Sequence, residues 1–131
     1  MAQIYHYSKN SELKCCVPRQ RIEVRSGEVN KGITRKNFLV DYLFRQLSPL
    51  KGARGCITLQ LFVNKVTNKI TGIEINPRFG GGYPLSYAAG ADFPSMLIRE
   101  YLMDSAPETF HDWEENLLML RYDDEVLVHG S

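Results

Sequence analysis

The chain has 131 residues and a formal net charge of +1, which suit one domain or part of one and indicate no particular charged partner. Its composition of 44% hydrophobic and 11% aromatic residues is typical of a soluble globular protein, and no run approaches the ~20 apolar residues of a membrane span. Three cysteines without metal-type spacing and an N-terminus unlike a signal peptide predict a cytoplasmic protein with reduced thiols and no membrane partner.

Two short apolar stretches near the N-terminus, residues 3–7 and 13–17, predict a β-hairpin. The residues between them are polar and turn-forming, as a hairpin connection requires. Because the hairpin starts almost at residue 1, we expect the chain to enter a sheet abruptly, as though upstream sequence were missing.

Residues 17–36 carry six basic side chains, and Gly27 and Gly32 are predicted to break the stretch into loop-like pieces. Two interpretations are open: a solvated charged loop, or a loop that places cations near phosphate or an anionic substrate. Nucleic-acid binding is not expected, because no aromatic residues interleave and Glu23 and Glu28 interrupt the basic residues. The six basic residues are Arg19, Arg21, Arg25, Lys31, Arg35 and Lys36.

Three helices are predicted from apolar spacing and end signals. Leucines recur every fourth residue over 37–47, with Thr34 as a plausible cap and Ser48-Pro49 as the end. A short helix is predicted over 84–89, and another begins at Asp92. The first and the third have ordinary core side chains at helical spacing, so we interpret them as packing elements.

A second hairpin is predicted from residues 55–64, whose apolar side chains alternate, and residues 70–76. A three-residue loop would place Gln60 opposite Glu74, and directly paired residues share a face with Cβ atoms about 5 Å apart. Asn76 lies on that face because strand side chains alternate. The inference depends on register, since a shift by one residue would separate these side chains.

The stretch from Gly72 to Tyr83 carries the chemistry. Gln60, Glu74 and Asn76 offer the oxygen ligands that a hard divalent cation requires. Arg78 suits phosphate, because its planar fork donates two parallel hydrogen bonds. Three glycines then predict a flexible loop with open backbone amides. Each polar residue alone is compatible with a solvent-facing strand position, but together they predict a magnesium–nucleotide site.

The C-terminal segment predicts two strands around a tight turn, between residues 117 and 128. Asp123, Asp124 and Glu125 are interpreted as a solvated turn, with a second metal site as the alternative. We therefore divide the chain into a main part, residues 1–107, and a β-hairpin extension, residues 108–131, packed on the same domain.

With these elements the chain resembles the C-terminal lobe of the ATP-grasp fold, and is similar to the carbamoyl-phosphate synthase large subunit family. Three stretches carry the resemblance: residues 57–63, the Ile73-to-Arg78 stretch with its Glu-x-Asn-Pro-Arg element, and residues 84–93. It covers residues 3 to about 103. The resemblance implies an α+β fold, with an antiparallel sheet and helices packed on one face, as an incomplete ATP-grasp domain.

The resemblance also implies a site and a reaction. Glu74 and Asn76 would hold Mg²⁺ (or Mn²⁺), with Gln60 as a further ligand, and Arg78 would hold phosphate or an acyl-phosphate intermediate. Arg25 and Lys31 fall where the family has a loop near the phosphates, so they are candidate ATP-binding residues. The implied chemistry is activation of a small carboxylate by ATP followed by attack of an amine or ammonia, in which the protein positions groups and neutralises charge.

Two departures from the family shape the functional hypothesis. ATP would lie between two lobes, and the N-terminal lobe with its adenine contacts and phosphate-binding lysine is missing, so the chain alone is expected to be inactive. Residues 80–82 differ from the synthase, which favours another ligase branch. The alternative is a non-catalytic ATP-grasp-derived module for protein binding or self-association, including a possible homo-oligomer.

Overall fold

The computed structural model describes residues 2–130, with side chains from residue 7 onward. Within this range the chain forms six strands and three helices. The strands are β1 (Ala2–Tyr7), β2 (Leu13–Arg25), β3 (Glu28–Thr34), β4 (Gly55–Val63), β5 (Ile70–Asn76) and β6 (Leu118–Leu120). The helices are α1 (Phe38–Leu47), α2 (Tyr83–Ala88) and α3 (Phe93–Leu102).

The described strands form one antiparallel sheet in the order β5-β4-β1-β2-β3-β6. The predicted α+β class with an antiparallel sheet is confirmed. At the centre of the sheet, Cys15 and Cys16 of β2 are both fully buried. Consecutive strand residues point to opposite faces, so both faces of β2 are covered. Leucines of α1 pack in the cluster of Cys16, whereas Phe93 and Trp113 pack in the cluster of Cys15.

The prediction of loop-like pieces over residues 17–36 is wrong, because β2 and β3 form a long hairpin there. Its turn is Ser26-Gly27, and both residues have positive φ angles of 50° and 78°. Two such residues form the turn whose twist matches paired strands. The basic residues therefore lie on strands, where alternation places Arg19 and Arg21 on one face.

The β4–β5 hairpin contains Gln60 opposite Glu74, as predicted, although its predicted three-residue loop is wrong. Val63 pairs with Ile70, so the connection is longer; the Asn64 side chain stabilises it by accepting hydrogen bonds from the backbone N–H groups of residues 66 and 67. That longer loop would shift the register, but β5 contains a bulge at Ile73. The extra residue restores the pairing of Gln60 with Glu74.

The helix boundaries follow the sequence signals closely, with one correction. Asn37, not Thr34, caps α1, and its side chain accepts a hydrogen bond from the Leu39 N–H. Thr34 ends β3 and is fully buried, and its hydroxyl donates to the carbonyl of Glu114 at 2.8 Å. The start of α3 is as predicted, with Asp92 as its cap. None of the described helices is long and apolar enough to cross a membrane.

The C-terminal segment differs from the predicted β-hairpin. One short strand, β6, pairs with β3, and residues 121–130 have no regular structure. Residues before β6 pack closely on the sheet: Trp113 is 1% exposed, and the backbone N–H of Phe110 bonds the carbonyl of Lys14. The segment is therefore anchored by Trp113 and β6 rather than by a second strand.

Candidate functional site

A pocket of about 140 Å³ lies at one end of the sheet, on the face that carries Arg19, Arg21 and Gln60. We call it the anion pocket. Strands β2, β4 and β5 and the loop before α2 all contribute to it. Three predicted site residues line the pocket, namely Gln60, Asn76 and Arg78, together with Arg19, Arg21, Gly27, Glu28, Val29, Thr58 and the three glycines 80–82.

Arg19 is the most unusual residue of the anion pocket. Its side chain is only 4% exposed, yet Nε and Nη1 have no hydrogen-bond partner within the described part of the chain. Burial, together with the like charge of Arg21, lowers the pKa of Arg19 to about 10, so the guanidinium remains charged at neutral pH. A buried charge without a counter-charge is costly. An anion bound in the pocket would supply the missing partner.

The three glycines before α2 are packed closely, which corrects the prediction of a flexible loop. A Cβ atom on Gly82 would lie 2.6 Å from Nη1 of Arg19, and one on Gly80 would lie 3.1 Å from Cγ2 of Thr58. Neither glycine has a positive φ angle. Glycine is therefore needed here for close approach of the backbone to Arg19 and Thr58 rather than for an unusual backbone conformation.

The predicted metal ligands lie together on the β4–β5 hairpin. Nδ2 of Asn76 donates to Oε1 of Glu74 at 2.9 Å, and Gln60 pairs opposite Glu74. The side-chain oxygens of Gln60 and Asn76 accept no hydrogen bond from the described residues, so they are available to a ligand. This set has one carboxylate and two amides, and no cluster of three or more His, Cys, Asp or Glu suited to a metal occurs among residues 7–130.

A magnesium ion fits such a set only in part. It retains several waters and is commonly held by one or two carboxylates together with phosphate oxygens. The hairpin supplies one carboxylate, Glu74, and the anion pocket beside it could hold the phosphate. The donor chemistry therefore suits a phosphate-bound cation better than a cation held by protein alone.

Arg78 follows β5 at the mouth of the anion pocket. Its backbone carbonyl accepts a hydrogen bond from the Thr58 hydroxyl at 2.9 Å, which ties the loop to β4. Its guanidinium is exposed, and Nη1 donates to the carbonyl of Phe79 at 3.2 Å. No ion pair joins it to a carboxylate of the described residues. The side chain therefore remains available to an anion.

Arg25 and Lys31 are not brought to the anion pocket. Arg25 forms an ion pair with Asp123, and Nζ of Lys31 lies 2.7 Å from Oε2 of Glu23. The hydrogen bond from Lys31 lowers the pKa of the Glu23 carboxyl. All four side chains are substantially exposed. Their assignment as ATP-binding residues stays a prediction.

Arg19 and Arg21 line the anion pocket but are not among the predicted site residues. The available signal was the alternation of β2: Cys15, Val17, Arg19 and Arg21 occupy every second position. A strand continued through residue 21 would have placed both arginines on the face of Gln60. The prediction of loop-like pieces over residues 17–36 does not include this relation.

A larger pocket of about 590 Å³ adjoins the anion pocket, and Arg21 and Gln60 line both. We call it the apolar pocket. Phe62 and Ile73 line it and are 68% and 51% exposed. This pocket lies in line with β1, between β2 and β4, beyond the pairs that Ala2 forms with Arg19 and Gln60.

The sequence of the chain matches a family of known proteins. A family profile described as "ATP-grasp in the biosynthetic pathway with Ter operon" matches residues 6–123. The match includes every residue of the anion pocket and continues through β6. No protein with a curated description matches the chain.

Proposed function

We propose that the chain, which belongs to this ATP-grasp family of ATP-dependent ligase-type domains, is the metal- and phosphate-binding lobe of a carboxylate–amine ligase. The ligase would act through an acyl-phosphate. The observation that carries the proposal is the buried guanidinium of Arg19, which lacks a counter-charge in the described chain. Carbamoyl-phosphate synthesis is the narrower form of this proposal. The glycines 80–82, which the resemblance does not account for, favour another ligase branch.

The anion pocket and the exposed apolar side chains beside it could take the two halves of a nucleotide. The anion pocket would take the phosphates, with Arg19 and Arg21 as counter-charges and Arg78 at the mouth. The base would lie against the exposed apolar side chains of Phe62 and Ile73. Arg21 and Gln60, which line both pockets, would then lie near the sugar and the first phosphate.

Glu74, Asn76 and Gln60 would hold Mg²⁺, or Mn²⁺, on the phosphate oxygens. The ion would supply positive charge that offsets the charge of the phosphates during phosphoryl transfer. For this role Asn76 would present its Oδ1, which accepts no hydrogen bond from a described residue. Glu74 would contribute the single anionic ligand.

The proposed reaction has two steps. A carboxylate oxygen of the substrate attacks the γ-phosphorus of ATP, and the bond to the β–γ bridging oxygen breaks to release ADP. The nitrogen of an amine or ammonia then attacks the acyl carbon, and phosphate leaves as the nitrogen loses a proton. Arg78 would keep the transferred phosphate in place, since an exposed guanidinium at the pocket mouth can donate two hydrogen bonds to it.

The proposed partner is a second lobe that covers the nucleotide. Phe62 and Ile73 are too exposed in this chain to shield a base from water on their own. We therefore expect the chain alone to bind nucleotide weakly and to be inactive. The buried cysteine thiols agree with the proposed cytoplasmic location.

A non-catalytic module that binds a protein or itself is the alternative. The exposure of large apolar side chains on β4 and β5 favours it, because such surface often marks an interface; Ile75, for example, is 56% exposed. Addition of a separately expressed upstream-encoded lobe separates the two functions. Restored ATP hydrolysis supports the ligase, whereas binding without turnover supports the module.

The ligand assignment is tested by Glu74→Ala combined with Asn76→Ala, in a form that contains the second lobe. We expect ATP turnover to be abolished, with a melting temperature close to that of the wild type, because Glu74 is exposed and Asn76 only half-buried, and such strand residues contribute little to stability. Thr71→Ala, also exposed on β5, is the matched control and should keep full activity. Retained turnover in the double variant would refute the assignment.

A further inference from the structure

Arg121 connects the C-terminal segment to the wall of the anion pocket. Its backbone N–H donates to the carbonyl of Asn30, which fixes the residue beside β3. Its guanidinium donates to the carbonyl of Gly81 at 2.9 Å through Nη2, and to Glu28 Oε2 at 3.2 Å and the carbonyl of Val29 at 3.4 Å through Nη1. One side chain therefore holds both β3 and the glycine loop.

These contacts leave the glycine loop with paired carbonyls and unpaired N–H groups. The carbonyls of Gly80 and Gly82 accept hydrogen bonds from the N–H groups of residues 83 and 85, and the Gly81 carbonyl accepts from Arg121. Within the described chain, the N–H groups of the three glycines donate to no acceptor. Unpaired N–H groups beside a buried guanidinium form a surface suited to an anion.

The orientation of one peptide unit links Arg121 to that surface. The carbonyl of Gly81 and the N–H of Gly82 belong to the same planar, trans peptide unit, so they point in opposite directions. Because Arg121 holds the carbonyl on its own side, the Gly82 N–H points away from Arg121. Gly82 itself lies against Arg19, since a methyl group on its Cα would come within 2.6 Å of Nη1.

We propose that Arg121 is a positioning residue of the anion pocket: it fixes the Gly81–Gly82 peptide so that the Gly82 N–H is directed at a phosphate oxygen held by Arg19. This inference rests on the proposed phosphate-binding function. Its ion pair with Glu28 is of minor importance, because the two side chains are 33% and 68% exposed. The hydrogen bond from Arg121 to the Gly81 carbonyl is the contact that fixes the orientation of the peptide.

The test uses the full chain, labelled with ¹⁵N and titrated with pyrophosphate as the probe. We expect the Gly82 amide resonance of the wild type to shift on binding. Arg121→Ala should weaken pyrophosphate binding about tenfold and reduce that shift. Arg121→Lys keeps the charge but cannot reach the Gly81 carbonyl and Glu28 together, so it should weaken binding about threefold.

The outcomes separate this inference from the function on which it rests. If the wild type binds no pyrophosphate, the anion pocket does not bind phosphate and the proposed function is wrong. If the wild type binds and Arg121→Lys behaves like it in affinity and in the Gly82 shift, Arg121 acts only as a charge and the inference is overturned. Should Arg121→Ala unfold the protein, the lysine variant still decides the question.

Discussion

At the scale of single residues, the degree of burial distinguishes two arginines, Arg19 and Arg78, that would bind the same ligand. Arg78 is exposed at the pocket mouth and could be selected from the Glu-x-Asn-Pro-Arg element alone. Arg19 is 4% exposed, and burial lowers its pKa to about 10. The burial of a charge without a counter-charge opposes folding. In the proposed site Arg19 would therefore contribute to binding at the expense of stability.

Arg19→Met tests whether the charge of Arg19 favours anion binding and disfavours folding. The methionine keeps the aliphatic volume and removes the charge, so we expect the free energy of unfolding to rise by about 1–4 kcal/mol. The stabilisation that pyrophosphate gives the wild type should disappear. Thermal unfolding with and without pyrophosphate measures both effects. Arg54→Met, at an exposed position, is the control. A variant that is less stable and still responds to pyrophosphate would contradict the account.

The buried thiols give the fold a predictable response to alkaline pH. Burial raises the pKa of Cys15 and of Cys56 to about 12. In the unfolded chain a thiol ionises near pH 8.5, as its ordinary pKa requires. From about pH 8.5 upward the unfolded chain therefore binds fewer protons than the folded one. The stabilisation is complete below that pH and is lost as the pH approaches 12.

We expect the free energy of unfolding to fall between about pH 8.5 and pH 10, by at most about 1.4 kcal/mol per pH unit for each thiol. Urea unfolding at several pH values measures the slope. Replacement of Cys15 and Cys56 by alanine lowers stability at every pH but should flatten the slope. An unchanged slope in that variant would assign the pH response to other groups.

At the scale of elements, the glycine loop and the β4–β5 hairpin position the site. The loop is held on one side by Thr58 and Arg19 and on the other by Arg121. The hairpin brings Gln60 to Glu74 only because the bulge at Ile73 offsets the longer connection. In both elements, backbone geometry decides which polar groups meet.

Gly82→Ala tests the loop. Its φ of −87° suits alanine, but the methyl group would lie 2.6 Å from Nη1 of Arg19. We expect Arg19 to be displaced and pyrophosphate affinity to fall by at least about tenfold, with little change in fold. Gly72→Ala on β5 is matched to it, because its Cβ would meet no atom within 4 Å. Calorimetric titration compares the two. Equal affinities in both variants would exclude close packing as the role of Gly82.

At the scale of the whole molecule, the C-terminal segment is part of the fold up to Arg121. Trp113 lies in the same core cluster as Cys15 and Phe93, and the Thr34 hydroxyl accepts a hydrogen bond from the N–H of Leu117. Beyond Asp123 the side chains are exposed, with Leu127 at 88%. The structure therefore predicts a functional boundary after Asp123, while the predicted division at residue 107 stays a hypothesis.

Two truncations test these boundaries. A chain ending at Pro107 loses Trp113 and β6, and we expect it to unfold without cooperativity or at least about 10 °C below the wild type, as loss of a buried tryptophan implies. A chain ending at Asp123 should melt within about 2 °C of the wild type. Circular dichroism melting curves measure the melting temperatures of both truncated chains and of the wild type. If the shorter chain melted like the wild type, residues 108–131 would be a separate extension.

The sequence by itself determined the local elements and the motif. Apolar alternation and spacing, with Pro and Gly end signals, sufficed for the N-terminal hairpin, β4, β5 and the three helices, because these signals act over a few residues; the cap of α1 was the exception. The Glu-x-Asn-Pro-Arg element was likewise sufficient to make Glu74, Asn76 and Arg78 candidates, since they occupy every second position of one short stretch.

Only the tertiary structure decided the rest, because it depends on contacts between distant residues. Residues 17–36, which Gly27 and Gly32 predict to be loop-like pieces, instead form two long strands joined by the Ser26-Gly27 turn. Neighbouring strands and the glycine loop buried Arg19, and Arg121 reached Gly81 across 40 positions of sequence. Burial and peptide orientation are properties of packing, and no local pattern of residue types specifies them.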